Sequence, residues 1–203
     1  MNFDFYDVFS KVIPGGLLTF VLIVCGYFTP TDKIPDLAYL FFSYIVGFII
    51  DAFAAKRQVM DLIWVLFKGK TSDVLLSGGK FYGNEYKFLG ELKSKVGEHW
   101  KSDNLLKTFD FIYRKVLALD AKRVQGFNNH WINTRNLLVS LILSAIPIAF
   151  CIWNGQRTWS VAIISSSILL FSIWIIFDRA KGRQYYFVKE VLDSYLFIEK
   201  NNK

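Results

Sequence analysis

The chain of 203 residues contains only two cysteines and two histidines, so side chains that bind transition metals are scarce. His99 and His130 are far apart in sequence, and neither has a cysteine or another histidine nearby. Zinc sites need such ligands in closely spaced groups. A nucleophile elbow, a dinucleotide-binding loop and a paired-carboxylate motif are also missing from the sequence. The sequence therefore predicts no metal site, no cofactor and no enzymatic activity.

Charged residues are almost absent from four long stretches. The hydrophobic fraction of 53% and the mean hydropathy of +0.32 exceed what a soluble domain usually has. The apolar residues are concentrated in blocks at 12–28, 37–55, 137–153 and 159–177, and Asp51 is the only charged residue inside them. Each block is long enough, as a helix, to cross a hydrocarbon core of about 30 Å. We therefore expect an all-α, polytopic membrane protein with four transmembrane helices in two hairpins.

These blocks divide the chain into four segments. We expect an interfacial segment and the first hairpin at 1–55, a cytoplasmic helical insert at 56–135, the second hairpin at 136–178, and a cytoplasmic helical tail at 179–203. Of the 24 Lys and Arg residues, fifteen lie in the insert and six follow the last block. Because positive charge accumulates on the cytoplasmic side, both termini and the insert are predicted to lie there, at the inner membrane of a bacterium.

Local patterns predict where helices break and which faces are apolar. Pro14, followed by two glycines, is expected to break or kink the chain before the first span. Residues 85–100 have the spacing of an amphipathic helix with Phe88 on its apolar side. The tail has the same spacing, and its apolar face consists of Phe187, Val188, Val191, Leu192 and Tyr195.

Asp51 is a functional-site candidate because a carboxylate inside a membrane span is costly. It lies close to the cytoplasmic boundary, a few residues before Lys56 and Arg57. We expect it to pair with one of these cations, or to face water, in preference to forming part of an ion pathway.

Both cysteines, Cys25 and Cys151, lie near the outer ends of predicted spans. The interpretation we favour is that both are small buried apolar residues. The alternative is a disulfide on the outer side, which requires the first and third spans to be neighbours.

The basic residues next to the spans are expected to bind lipid headgroups. They are Lys56, Arg57, Lys122, Arg123, Arg179, Lys181 and Arg183. Arg123 and His130 also fit the loose Arg-x4–6-His pattern of HEPN ribonucleases, in which residues of two subunits meet around a phosphate. We favour membrane anchoring for this segment. Cations of the insert are interleaved with acids, so direct nucleic-acid binding is not favoured either.

Small and hydroxyl residues recur in the third and fourth spans. They are Ser140, Ser144, Ala162, Ser165, Ser166 and Ser172. Such residues let helices approach closely and form hydrogen bonds across the interface. We expect them to support packing within the chain or between copies, and the alternative is that they line a pore in an assembly.

Two short segments resemble small multi-span proteins of bacterial anti-phage defence loci. The opening Asp7-Val-Phe-Ser-Lys-Val-Ile-Pro-Gly15 is similar to the start of many such proteins, and the juxtamembrane Asn133-Thr-Arg-Asn-Leu137 is similar too. The predicted order of two spans, a cytoplasmic helical insert, two further spans and a helical tail resembles two groups of proteins. These are the accessory membrane protein of type VI-B CRISPR loci and the Kiwa membrane component. The first modulates an RNA-guided nuclease, and the second partners a DNA-binding protein.

This resemblance implies a non-enzymatic inner-membrane accessory or effector of a defence system. Such a protein would form homo-oligomers through its spans and dock a cytoplasmic nuclease or nucleic-acid-binding protein encoded in the same locus. The alternatives are a pore-forming effector that depolarises the cell and a membrane-tethered HEPN-like ribonuclease.

Overall fold

The structure, a computed structural model, describes residues 5–27, 36–119, 121–155 and 159–201. Within these ranges the chain is helical and contains no β-strand beyond an isolated bridge between Phe81 and Asn84. The predicted all-α class is therefore confirmed. The helices are α1 (Phe5–Val24), α2 (Asp36–Ala54), α3 (Arg57–Leu66), α4 (Thr71–Leu76), α5 (Leu89–Val96), α6 (Leu105–Leu119), α7 (Ala121–Trp153) and α8 (Trp159–Asn201).

Several of these helices are long and apolar enough to cross a membrane. Val124–Trp153 in α7 and Ile163–Asn201 in α8 each meet this condition alone. The bent pair Ala38–Ala54 and Arg57–Leu66 would make a third crossing if it forms one span, whereas Ser10–Val24 is shorter. The structure thus contains two or three helices able to span a bilayer.

Helix α1 runs through Pro14, so of the two predicted effects of this residue the break is wrong, while the kink stays a prediction. A proline removes only one backbone donor from a helix. In an apolar medium every other backbone group still requires a hydrogen-bond partner, which favours continuing the helix. The contact of the Pro14 carbonyl with the hydroxyl of Ser140, at 2.6 Å, shows that α7 packs against this point.

One side-chain cap and one change of backbone conformation mark helix ends in the middle of the chain. The side-chain oxygen of Asn104 accepts a hydrogen bond of 3.2 Å from the N–H of Lys107 and so caps α6. Lys68 and Gly69, which follow α3, both have positive φ. Helix α5 begins only at Leu89, so the predicted helix at 85–100 is shorter than expected, and Phe88 is exposed.

The chain folds into two compact units, which we describe separately. The first contains Met1–Met60 and Ile132–Ala180, and the second contains Asp61–Trp131 and Lys181–Lys203.

In the first unit, α1 and α2 touch backbone to backbone. A Cβ atom added to Gly15 would overlap the carbonyl oxygen of Ser43, and one added to Gly47 would overlap the carbonyl oxygen of Lys11. Two helices can approach this closely only where side chains are absent or small. Gly15 was predicted to belong to a helix breaker, and this contact was not predicted.

The second unit has a core of its own. Many of its fully buried side chains come from α4, α5, α6 and the end of α8, among them Leu75, Leu92, Ile112, Val116, Val188, Val191, Leu192 and Tyr195. The predicted apolar face of the tail is confirmed, because all five of its members are buried.

Aromatic side chains complete this core where α3 meets the start of α7. Trp64 stacks on Trp131 with ring centroids 6.0 Å apart, and Phe67 contacts both Trp131 and Phe81 edge-on. Aromatic pairs of this kind stabilise a fold by more than the burial of their apolar surface alone.

A polar contact also ties the loop before α5 to the last helix. The hydroxyl of Tyr86 donates a hydrogen bond of 3.0 Å to the carboxylate of Asp193. Burial, together with this neighbouring carboxylate, raises the pKa of the Tyr86 hydroxyl well above its ordinary value.

The contact between α1 and α2 predicts opposite effects at two adjacent glycines. Gly15→Ala would force the helix backbones apart and should lower the free energy of unfolding by about 1–3 kcal/mol or more. In Gly16→Ala the new methyl would make only ordinary contacts, 3.7 Å from the Ser43 hydroxyl. Because alanine favours a helix by about 1 kcal/mol over glycine, this control should be neutral or stabilising. Thermal unfolding in detergent measures the stability of both variants. Equal changes in Gly15→Ala and Gly16→Ala would contradict the close approach of the α1 and α2 backbones.

Candidate functional site

The side chain of Asp51 on α2 is bound by two adjacent residues of α7. An Nη atom of Arg135 lies 2.8 Å from one carboxylate oxygen of Asp51, and the amide nitrogen of Asn136 donates to the same oxygen at 2.9 Å. The guanidinium also donates to the side-chain oxygen of Asn136, from Nε at 3.2 Å and from Nη at 2.9 Å. The three side chains thus form a closed triangle of hydrogen bonds, which we call the polar lock.

The polar lock is largely withdrawn from solvent. The side chain of Arg135 is 9% exposed and that of Asp51 31%, while Asn136 is fully buried. Burying an unpaired guanidinium in an apolar environment would be strongly unfavourable, so its partners must be held in place. Asp51 therefore serves as the counter-ion of Arg135 and the anchor between α2 and α7.

The predicted partners of Asp51 are wrong, because the carboxylate pairs with Arg135 and not with Lys56 or Arg57. Helix α2 ends at Ala54, before either of those cations. Residues five or six positions further on do not share the helix face of Asp51, since neighbours on one face are three or four apart.

A line of buried polar residues continues along α7 from the polar lock. Asn136, Ser140 and Ser144 are spaced by four residues, share one face, and are each fully buried. The hydroxyl of Ser140 donates to the Pro14 carbonyl of α1, and that of Ser144 donates to the Ser140 carbonyl at 2.8 Å. Ser140 therefore connects α7 to α1, and both hydroxyls are satisfied by backbone oxygens.

The serines of α8 lie beside an apolar cavity. Ser165 and Ser172, together with Ser144, line a space of about 280 Å³ whose other walls are mainly aliphatic. Ser166 is half-buried outside this cavity, and the side chain of Ala162 lies outside the described residues. A cavity with such walls suits hydrocarbon better than water.

The two cysteines are neighbours in this unit. The sulfur of Cys151 lies 3.9 Å from the carbonyl oxygen of Cys25, and both residues are buried. The ends of α1 and α7 are therefore adjacent here, which is the condition that a disulfide requires.

The predicted headgroup-binding cations occupy different environments. Lys56, Arg57, Lys122 and Arg179 are exposed, and Arg183 is half-buried. The ammonium of Lys181 lies 5.5 Å from the centroid of the Phe81 ring, a cation–π contact within the second unit.

The residues of the HEPN-like pattern both belong to α7. His130 is half-buried, and the side chain of Arg123 lies outside the described residues. Seven positions along one helix separate their backbones by roughly 10 Å.

Sequence reasoning missed Arg135 and Asn136 as functional residues. A signal was nonetheless present: Asp51 is the one acid within the predicted spans, and Arg135 is the cation that lies nearest to the third span. Opposite charges at similar membrane depth are expected to pair. The segment Asn133–Leu137 drew attention only because of its resemblance to defence proteins.

No protein-family model, curated protein or solved structure matches this chain. Its function must therefore be inferred from the geometry of the two units.

The polar lock predicts strong coupling between Asp51 and Arg135. Asp51→Ala should lower the free energy of unfolding by about 3–5 kcal/mol, because it leaves a buried guanidinium unpaired. Adding Arg135→Met should restore part of this loss, so the double variant is less destabilised than the sum of the single variants. The free energies of unfolding of the wild type, the two single variants and the double variant form a double-mutant cycle. They are measured by circular dichroism in mixed micelles.

Lys56→Met is the matched control for this cycle, since Lys56 is exposed and should change stability by no more than about 0.5 kcal/mol. Strict additivity of the two lock substitutions, or an equally large effect of Lys56→Met, would contradict the assigned pairing.

The cysteine geometry predicts an intramolecular disulfide under forced oxidation. With copper phenanthroline and oxygen as the oxidant, the thiols of Cys25 and Cys151 should lose two protons and two electrons and form one S–S bond. Intact mass should fall by two hydrogens, and maleimide labelling of both thiols after denaturation should disappear together. Cys25→Ser should keep one reactive thiol at position 151. Two thiols that stay reactive, or crosslinks only between chains, would disprove the proximity.

Proposed function

We propose that this protein is a non-enzymatic accessory or effector protein of the bacterial inner membrane that belongs to an anti-phage defence system. In this proposal α1, α2, the second half of α7 and the first part of α8 are the four spans. Both termini and the second unit are cytoplasmic, in accordance with the distribution of Lys and Arg.

The observation that carries the proposal is the difference between the two units. The first unit exposes large apolar side chains on several helices: Phe20, Phe41, Phe48, Ile49, Ile146, Phe150, Ile163, Ile168, Phe171 and Trp174. Such a surface is unfavourable in water and suits contact with lipid or with other spans. The second unit also exposes apolar side chains, such as Val65 and Phe197, but it encloses its own core and forms ion pairs, such as Lys200 with Glu91 at 2.9 Å. One chain thus combines a membrane bundle with a domain suited to meet soluble partners.

The polar lock favours a scaffold over a conducting protein. Within the predicted spans, the acidic side chain of Asp51 is already bound by Arg135 and Asn136. Ion and proton pathways need charged groups that can exchange partners, whereas this cluster is satisfied by protein groups.

Two features support a role in defence. The span plan is similar to that of defence membrane proteins, and one of the resembling segments, Asn133–Leu137, contains Arg135 and Asn136 of the polar lock. In such a role the exposed face of α8 would support homo-oligomers, and the second unit would dock a cytoplasmic nuclease or nucleic-acid-binding protein from the same locus.

A pore-forming effector is the second candidate, and Ser144, Ser165 and Ser172 around the cavity of the first unit are the observation in its favour. The aliphatic walls of this cavity in the single chain weigh against it. The HEPN-like ribonuclease ranks third, because the Arg-x4–6-His pattern is loose and because, in the family it resembles, the two residues come from two subunits.

The decisive experiment is isolation of the tagged protein from native membranes in mild detergent, with mass spectrometry of the bound proteins. We expect a homo-oligomer that retains a soluble protein encoded beside it. The control is the same isolation from cells that lack the neighbouring genes, which should yield the oligomer alone.

A monodisperse monomer would contradict the oligomeric part of the proposal. An oligomer with no partner that releases ions from liposomes would replace the accessory role by the pore. RNA cleavage that is lost in His130→Ala would overturn the non-enzymatic assignment.

A further inference from the structure

An open cavity of about 730 Å³ lies on the surface of the second unit, next to α6. His99, Lys107, Asp110, Phe111, Arg114 and Lys115 line it. Five of these residues belong to α6, and His99 belongs to the 3-10 turn Gly97–His99. The opposite face of α6, with Thr108, Ile112 and Val116, is buried. The cavity therefore lies over the solvent-facing side of a helix that the core holds in place.

Two cations at this cavity are available for a ligand. Lys107 and Arg114 are exposed, and in the part of the chain that the structure describes their side chains have no hydrogen-bond or ion-pair partner. They lie two turns apart, roughly 10 Å along the helix axis. Both side chains are long, so the two groups can reach toward one ligand between them. A guanidinium and an ammonium in this arrangement suit phosphate oxygens.

The third cation has a different role. The ammonium of Lys115 is paired with the carboxylate of Glu199 and lies 5.5 Å from the centroid of the Tyr195 ring. Its charge is therefore largely compensated by Glu199, and it helps to fix the wall of the cavity.

An aromatic platform forms the floor beside these cations. The imidazole of His99 stacks on Phe111 with centroids 4.1 Å apart and an angle of 21° between the planes. Phe111 in turn contacts Tyr195 edge-on at 6.4 Å, and Tyr195 is 1% exposed. One side of the imidazole is thus fixed by a chain of rings that reaches the core. Because His99 itself is exposed, a planar heterocycle can stack on it.

Asp110 limits what the cavity can bind. Its carboxylate lies between Lys107 and Arg114 in sequence and faces the same cavity. It would repel a bare phosphate placed beside it, yet it can accept hydrogen bonds from hydroxyl or amino groups. The matching ligand therefore has an anionic part, a donor group and a flat ring.

An ordinary solvated helix face would show a different pattern. The spacing of Lys107, Asp110 and Arg114 at three and four residues allows an ion-pair ladder along the helix. Within the described residues, Asp110 forms no ion pair with either cation. The charges are left directed to the cavity instead of neutralising one another.

We propose that this cavity binds a nucleotide. The base stacks on His99, a hydroxyl of the sugar donates to Asp110, and the phosphate groups contact Arg114 and Lys107. This assignment goes beyond the proposed membrane role and holds for any number of spans. If isolation of the protein from membranes yields no partner, the nucleotide site is not contradicted.

The test is equilibrium dialysis of the full-length protein in detergent with radiolabelled ATP, in competition with AMP, adenosine and inorganic phosphate. We expect saturable ATP binding, with AMP a weaker competitor and inorganic phosphate weaker than AMP by at least about tenfold, since stacking contributes to nucleotide binding only. Arg114→Ala and Lys107→Ala should each weaken ATP binding by about tenfold, the usual effect of losing a charge-assisted hydrogen bond.

Lys87→Ala is the matched control, because Lys87 is an exposed cation outside the cavity. It should leave ATP binding unchanged. His99→Ala should weaken binding, and His99→Phe should restore it by preserving the stack. These exposed positions should leave circular dichroism and thermal unfolding as in the wild type, which separates loss of binding from loss of folding.

Three outcomes would overturn the nucleotide site. The first is the absence of saturable ATP binding. The second is an equal loss of ATP binding in Lys87→Ala and Arg114→Ala, which would indicate unspecific charge attraction. The third is competition by inorganic phosphate, or by nanodiscs of phosphatidylglycerol, as effective as that by AMP. That result would assign the cations to phosphate or lipid headgroups and leave His99 without a role.

Discussion

The ion pair between Asp51 and Arg135 is the interaction on which the packing of the first unit depends. A guanidinium that is 9% exposed cannot remain among apolar helices without a counter-charge, so α2 must present Asp51 where α7 places Arg135. Asn136 completes the pairing by donating to the carboxylate and accepting from the guanidinium. This geometry fixes the rotation of α2 about its own axis and its position along α7. Apolar contacts alone would define both less well.

Further contacts extend this constraint to α1. One turn beyond Asn136, the hydroxyl of Ser140 meets the Pro14 carbonyl of α1. Next to Pro14, the missing side chain of Gly15 lets α1 approach the backbone of α2 at Ser43. Each of the three helices therefore contacts the other two through polar or backbone groups. In an apolar medium such contacts define one arrangement, because lipid offers helices no hydrophobic drive to associate.

The sequence predicted the parts of this structure that depend on local pattern. Apolar runs and three- to four-residue spacing indicated the apolar parts of α7 and α8 and the buried face around Leu192, since periodicity is decided within a few turns. The partner of Asp51 was not predictable in this way, as Arg135 is 84 positions away and only tertiary packing brings the two together. Gly15 was misjudged for a different reason: glycine disfavours helices in general but is required where two helix backbones touch.

The two units differ in how the polar groups of the described residues are used. In the first unit the buried polar groups of Asp51, Asn136 and Ser140 are satisfied by one another or by backbone, and the cavity beside Ser165 has aliphatic walls. These polar groups connect the helices of the first unit to one another. In the second unit, the side chains of Lys107, Asp110 and Arg114 have no hydrogen-bond or ion-pair partner among the described residues, and they line a cavity with an exposed ring. Groups without a partner are those that a ligand can use. Signal recognition is therefore better sought on the face of α6 than between the spans.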